Sequence, residues 1–287
     1  MHILFKLLGG LPLPLLHAFG ALMGGLVYVL SSRERQRAAK NLALAYPKGV
    51  PAGLAWQSAL SAGRALFELP YLWTRSIDRV LSHVDQVDGW QHVEAARARG
   101  DALIFLTPHI GSFEVAGQVC GKQFPFVCLY RPPNSPAFEA VMVAGRTRGG
   151  MSLAAADNAG VKKLLKTLRR GEAVGILPDQ VPQNGEGVWL PYFGKPAYTM
   201  TLAARFTEQP KVTTVFIYAI RGAWGRYRVV IRPPQTPFSG DQNARAQQIN
   251  REIESIVLQF PDQYLWSYNR YKVPNAAAGA ARRAVDQ

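Results

Sequence analysis

The chain has 287 residues, 48% hydrophobic and 10% aromatic, which is enough for a sizeable core and excludes disorder, collagen and a disulfide-stapled miniprotein. Against 33 Lys plus Arg stand 19 Asp plus Glu, a formal net charge of +14, so anionic partners are expected. The two cysteines, Cys120 and Cys128, form no CxxC pair and no zinc-like spacing with histidine; they fit a reducing compartment and read as buried apolar fillers.

Residues 11–30 read LPLPLLHAFGALMGGLVYVL, about the length that crosses a bilayer, with no Asp, Glu, Lys or Arg and with His17 inside the run. A signal-peptide core is shorter, and the run leads into a basic flank rather than a small-residue cleavage site. Arg33, Arg35, Arg37, Lys40 and Lys48 come after the run and Lys6 alone before it, so the positive-inside rule holds the body in the cytoplasm. Pro12, Pro14 and the glycines at 9, 10, 20, 24 and 25 leave open whether the helix spans or lies in the interface, and a buried core helix is the alternative to both. Residues 1–32 are therefore expected to form a membrane-associated hydrophobic segment.

From residue 35 to 73, Leu42, Leu44, Trp56, Leu60, Leu66, Phe67 and Leu69 follow helical periodicity, broken at Pro47 and Pro51, which predicts two helices. Short apolar runs then alternate with amphipathic segments. Strands are predicted at 102–106, 126–130, 173–177, 212–220 and 227–231, and helices at 90–99, 112–122, 136–148, 160–170, 199–207 and 241–259. The alternation predicts an α/β domain with a mostly parallel central sheet flanked by helices, over residues 33–273 with an N-terminal helical part at 33–75. Residues 274–287, rich in Ala, are expected to be a flexible tail.

The first strong strand is followed at once by Thr107-Pro-His109-Ile-Gly111-Ser112-Phe113-Glu114. Ligands of parallel α/β sheets gather at the carboxyl ends of strands, where this turn falls. His109 in the loop and Glu114 in the first turn of the next helix suggest a base and the carboxylate that orients it, because a carboxylate holding the Nδ1 proton leaves Nε2 free to deprotonate a hydroxyl. The His-x4-acid spacing alone is common by chance. Tyr130-Arg131-Pro after the second strand and Pro178-Asp179-Gln180 after the third converge on the same sheet edge. Singly, Arg131 reads as a solvated loop residue and Asp179 as a turn cap.

These blocks, with Pro191-Tyr-Phe193-Gly194-Lys-Pro196 and the closing Gln263-Tyr-Leu-Trp266, resemble the lipid A biosynthesis late acyltransferases, the lauroyl/myristoyl family within the His-x4-Asp/Glu glycerolipid acyltransferase superfamily. The resemblance runs from the hydrophobic N terminus, through Arg37 and Asn41, to about Lys272. It implies an inner-membrane enzyme of lipopolysaccharide biosynthesis, with its active domain facing the cytoplasm. That enzyme moves a fatty acyl group from acyl carrier protein to a hydroxyl of a 3-hydroxyacyl chain on a lipid A precursor. In it His109 is the general base, Glu114 its orienting partner, and Arg131, Asp179, Gln180 and Gly194 contribute to substrate binding. No metal or other cofactor is implied, since a thioester is already activated. The family's ending, a histidine and two basic residues after the Trp, appears here as Ser267-Tyr-Asn-Arg270-Tyr-Lys272.

Two anionic partners, acyl carrier protein and a phosphorylated lipid, agree with the +14 charge. Candidate docking cations are Arg146, Arg148, Lys162, Lys163, Lys166, Arg169 and Arg170, and the helix start at 111–113 is the candidate oxyanion donor. The nearest rival is an acyltransferase of the same superfamily acting on another glycolipid, a phospholipid or an ornithine lipid. A noncatalytic anionic-membrane-binding protein is the rival of another class. Nucleic-acid binding lacks a recognisable motif, and a metal hydrolase lacks ligands, because His2, His17, His83 and His92 stand in unrelated contexts.

Overall fold

The computed structural model describes residues 2–274, so the Ala-rich tail at 275–287 lies outside the described residues. The N-terminal third is helical: α1 (His2–Gly9), α2 (Leu13–Leu30), α3 (Ser32–Ala45), α4 (Leu54–Thr74) and α5 (Ile77–Leu81). Pro14 falls in the first turn of α2, where the N–H it lacks has no helical partner. Ser31 caps α3 by accepting the Glu34 N–H at 3.3 Å. Pro47 and Pro51 lie between α3 and α4, at the expected break.

The N-terminal segment packs along the body. Helix α2 runs antiparallel to α4, with Gly20 against Gly63 and Gly24 against Ala59. A Cβ on Gly63 would come 1.9 Å from the Gly20 carbonyl oxygen, so this approach of two backbones admits glycine alone. His17 meets Glu68 of α4 at 2.9 Å in the buried interior. The opposite face of α2 exposes Leu15, Phe19, Leu22, Leu26, Val29 and Leu30. By length and composition α2 is apolar enough to cross a membrane.

The rest of the chain alternates as β1 (Val84–Asp88), α6 (Trp90–Ala98), β2 (Ala102–Leu106), α7 (Phe113–Gln123), β3 (Phe126–Tyr130), α8 (Pro136–Thr147), β4 (Met151–Ala155), α9 (Asn158–Arg169) and β5 (Ala173–Ile176). Next come β6 (Gly187–Tyr192), β7 (Lys195–Met200), α10 (Leu202–Phe206), β8 (Val212–Arg221), β9 (Tyr227–Arg232) and α11 (Gln242–Gln259). The seven-stranded sheet has the order β1-β9-β8-β2-β5-β3-β4, parallel throughout except between β8 and β9. Those two are joined by a turn of a few residues, which can only return the chain antiparallel. The fold is therefore the expected helix-flanked, mostly parallel α/β sheet. Strands β6 and β7 form a separate hairpin, so the helix expected at 199–207 is shorter: β7 runs to Met200 and α10 starts at Leu202.

Strand β2 is buried along its whole length and feeds a core on each face of the sheet. Ile104 and Leu106 pack with Leu164 and Leu168 of α9 and Ile249 and Ile253 of α11. Leu103 and Phe105 pack with Val93 of α6, Val115 and Val119 of α7, and Leu72 of α4. With both faces covered, the ends of the strands are where a ligand can reach the sheet.

Candidate active site

After Leu106 the chain leaves the sheet through residues 107–112 and enters α7. Gly111 sits at φ +53°, and a Cβ there would lie 2.0 Å from the Ala219 carbonyl oxygen, so the loop can press against β8 only with glycine at this position. The Gly111 N–H donates to Gln263 O at 3.0 Å and the Ser112 N–H to Ala219 O at 2.7 Å. Both amides are therefore engaged, which removes Gly111 and Ser112 from the oxyanion donors expected at 111–113.

This anchored loop presents His109. Its backbone N–H donates to Asp179 Oδ2 at 2.9 Å, and its Nδ1 lies 2.7 Å from Asp179 Oδ1. Asp179, just beyond β5, is 2% exposed. Burial pushes its carboxyl up, but the His109 imidazole and the two hydrogen bonds outweigh that and hold it below the usual carboxylate value. An ionised carboxylate can only accept, so Nδ1 carries a proton, and in the neutral ring Nε2 is the nitrogen that holds the lone pair. Among the described residues Nε2 has no hydrogen-bond partner.

Glu114 takes a different place from the one its spacing suggests. Its carboxylate accepts from Arg146 Nε at 3.0 and 3.1 Å, from Arg146 Nη2, and from Trp73 Nε1 at 3.1 Å. Burial would lower the Arg146 guanidinium, and Glu114 more than offsets this and raises it. The expectation that Glu114 orients His109 is thereby corrected. The first turn of α7 aims this side chain toward α4 and α8, and Asp179 occupies Nδ1.

His109 and Glu114 nevertheless line one cavity of about 250 Å³, together with Arg131 and Gln180. Its remaining wall is largely apolar, with Phe105, Phe126, Met142, Met151 and Ile217. The thiol of Cys128, also on this wall, is pushed up to about 11 by burial, and Cys120 is raised as well, so neither is poised as a thiolate. Gly194 does not line the cavity. With Phe193 (φ 45°) it makes the left-handed pair that turns β6 into β7.

The sequence singles out His109, Glu114 and Asp179 as candidates, and the structure pairs His109 with Asp179 rather than with Glu114. Asp179, expected at the substrate, holds His109 across 70 residues of sequence, a separation that no spacing rule detects. The clamp of Arg146 and Trp73 on Glu114 leaves no signal in the sequence, which places Arg146 at a docking surface instead. Arg148 donates to the Trp73 carbonyl at 2.8 Å while staying exposed. Among the described residues no group of three His, Cys, Asp or Glu side chains is placed to hold a metal.

The geometry thus offers a base at the polar end of an apolar cavity, the arrangement for activating a hydroxyl beside an alkyl chain. The family described as bacterial lipid A biosynthesis acyltransferase matches residues 1–273. The chain belongs to that family. It is an acyltransferase of lipid A biosynthesis. Similar proteins include the lipid A biosynthesis palmitoleoyltransferase of Escherichia coli (strain K12), 27% identical over 91% of this chain and 86% of the relative. The lauroyltransferase of the same organism is 25% identical over 91% and 87%. Its myristoyltransferase is 25% identical over 83% of this acyltransferase and 75% of the relative.

Proposed function

We propose that this acyltransferase moves a fatty acyl group from an acyl carrier protein thioester to the hydroxyl of a 3-hydroxyacyl chain on a lipid A precursor. The observation that carries the reading is the His109–Asp179 pair at the mouth of an apolar cavity. Nε2 of His109 removes the hydroxyl proton as the oxygen attacks the thioester carbonyl. Asp179 holds the tautomer and stabilises the imidazolium that forms. The tetrahedral intermediate expels the thiolate, and the imidazolium returns the proton to sulfur. The apolar wall receives the donor's acyl chain, while Arg131 and Gln180 stand at the polar end where the carbonyl and the acceptor meet. Glu114 acts at one remove: its clamp with Arg146 and Trp73 fixes α7 against α8 and α4 and so shapes the cavity.

The site of action we infer is the cytoplasmic face of the inner membrane, with α2 in the interface rather than across it. The exposed apolar face of α2 and the basic flank after it support this. The test is an assay of detergent-purified full chain with acyl carrier protein thioesters and a lipid A precursor, with products read by mass spectrometry. The expected product carries one new acyl group on a 3-hydroxyacyl chain, and His109→Ala loses at least about 10²-fold in rate. Transfer to a phospholipid or an ornithine lipid instead would replace the acceptor in this reading, and full activity of a folded His109→Ala would overturn it.

A further inference from the structure

A second polar cavity, about 390 Å³, lies between α2, α4 and the turn that joins β8 to β9. It does not include His109. Its floor is the buried cluster around Glu68. Arg221 grips that carboxylate with Nε at 2.8 Å and Nη2 at 2.5 Å, His17 reaches it at 2.9 Å, and Tyr227 donates at 2.8 Å. The third nitrogen of the Arg221 guanidinium, Nη1, is buried without a partner among the described residues, although the whole side chain is only 5% exposed. An unpaired guanidinium nitrogen in the interior is costly unless something accepts from it.

Arg64 of α4 lines the same cavity and makes no ion pair among the described residues. Burial and the neighbouring positive charge of Arg221 both lower it, and Asp262 on the rim counteracts them less. Two guanidinium groups that repel each other across one cavity, one with an unused donor, form a site in which a tetrahedral oxyanion would bridge them. The rim adds a lipid signature. Trp224 is 83% exposed and held at φ +56°, a strained conformation for a bulky residue, and it stands beside the start of α2, where Leu11 and Leu15 are exposed. Exposed indoles beside apolar surface sit at the headgroup level of a bilayer.

We propose that Arg64 and Arg221 form a phosphate-binding site, separate from the acyl-transfer cavity, that takes the phosphate of a membrane lipid headgroup with Trp224 resting in the interface beside it. The site rests on these residues alone and does not depend on the acceptor proposed above. It would hold the protein at a fixed depth and orientation on an anionic leaflet.

The test uses full-length protein in neutral detergent, the variant Arg64→Gln, and Arg251→Gln as a control that removes an exposed charge elsewhere. Thermal melts are recorded with inorganic phosphate replacing chloride at constant ionic strength. Phosphate is expected to raise the melting temperature of the wild type by about 2 to 4 °C and to leave Arg64→Gln unmoved. Melts in chloride alone establish that the variant is folded, and Arg64→Lys should retain part of the response. In a second arm the proteins are floated with phosphatidylcholine vesicles containing phosphatidylglycerol. A loss of binding of about fivefold in Arg64→Gln but not in Arg251→Gln assigns the site to a lipid headgroup. A phosphate effect without any vesicle effect would keep the site and overturn the lipid source. Equal response of wild type and Arg64→Gln to phosphate would overturn the site itself.

Discussion

Replacing the carboxylate of Asp179 by an amide keeps its shape and removes the charge that, in the proposed mechanism, faces the imidazolium during transfer. Asp179→Asn is therefore expected to lower kcat by about 10²- to 10⁴-fold while KM for the donor changes little. Steady-state rates on the purified variant check this; a near-normal kcat would dismiss Asp179 as the residue that orients His109. Glu114→Gln makes a different prediction. It leaves the Arg146 guanidinium, whose side chain is 15% exposed, without its counter-charge, a change of about 3 to 5 kcal/mol for a buried pair. The melting temperature should fall by about 10 °C. An unchanged melt would mean that Glu114 is not part of the framework. At this scale the sequence marks candidate side chains and hides which of them touch. His109 and Glu114 are five residues apart and are bonded to different partners, whereas His109 and Asp179 are brought together by the parallel pairing of β2 with β5.

Glu68 shows how one buried group ties elements together, since its partners come from α2, β8 and β9. Burial pushes its carboxyl up, but Arg221 and His17 outweigh that and bring it down to about 2. An unfolded glutamate titrates near 4.3, so the pairing contributes stability fully present above that value and lost as pH falls toward 2. The contribution is on the order of 3 kcal/mol. Glu68→Gln should melt well below the wild type at pH 7, and the gap between the two should close between pH 5 and pH 2. A gap that is constant with pH would refute the linkage. Helix α9 carries the donor prediction: Lys162, Lys163, Lys166 and Arg169 are arrayed along it while Leu164 and Leu168 are buried. Binding of acyl carrier protein should weaken as salt rises and weaken further when these four are replaced by Gln, and a salt-independent affinity would count against docking there. Elements with continuous apolar runs, β2, β3, β5, β8 and β9, are legible in the sequence. Edge strand β1 is not, because Val84–Asp88 reads VDQVD and three of its five residues are exposed. Edge strand β4 and the β6–β7 hairpin are equally illegible, the hairpin because Pro191 interrupts it and its pairing is outside the main sheet.

For the whole molecule, the question posed by the apolar run is whether α2 crosses the bilayer, and its fastenings decide what crossing would require. Arg75 donates to the carbonyls of Gly9 and Gly10, His17 is held by Glu68, Gly20 and Gly24 press on Gly63 and Ala59, and Arg35 donates to the carbonyls of Tyr28 and Val29. The chain is thus fastened to the body just before α2 and along the middle of the helix, and α3 fastens its C-terminal end. To span, it would have to leave α4 and strip Glu68 of His17, or carry α4 with Arg64 and Glu68 into hydrocarbon, and both cost several kcal/mol. In the interfacial arrangement proposed above, α2 stays in place, the exposed face that includes Leu15, Leu22 and Leu30 would lie flat on the lipid, and both of its ends would stay on one side. The measurement is labelling of Leu11→Cys and Leu30→Cys, in a chain whose native cysteines are replaced by Ala, with a membrane-impermeant thiol reagent on inside-out and right-side-out vesicles. Both positions should react from the cytoplasmic side only. Reaction of Leu11→Cys from the opposite side would establish a spanning helix, and would require α2 to detach from the surface on which Glu68 now holds it.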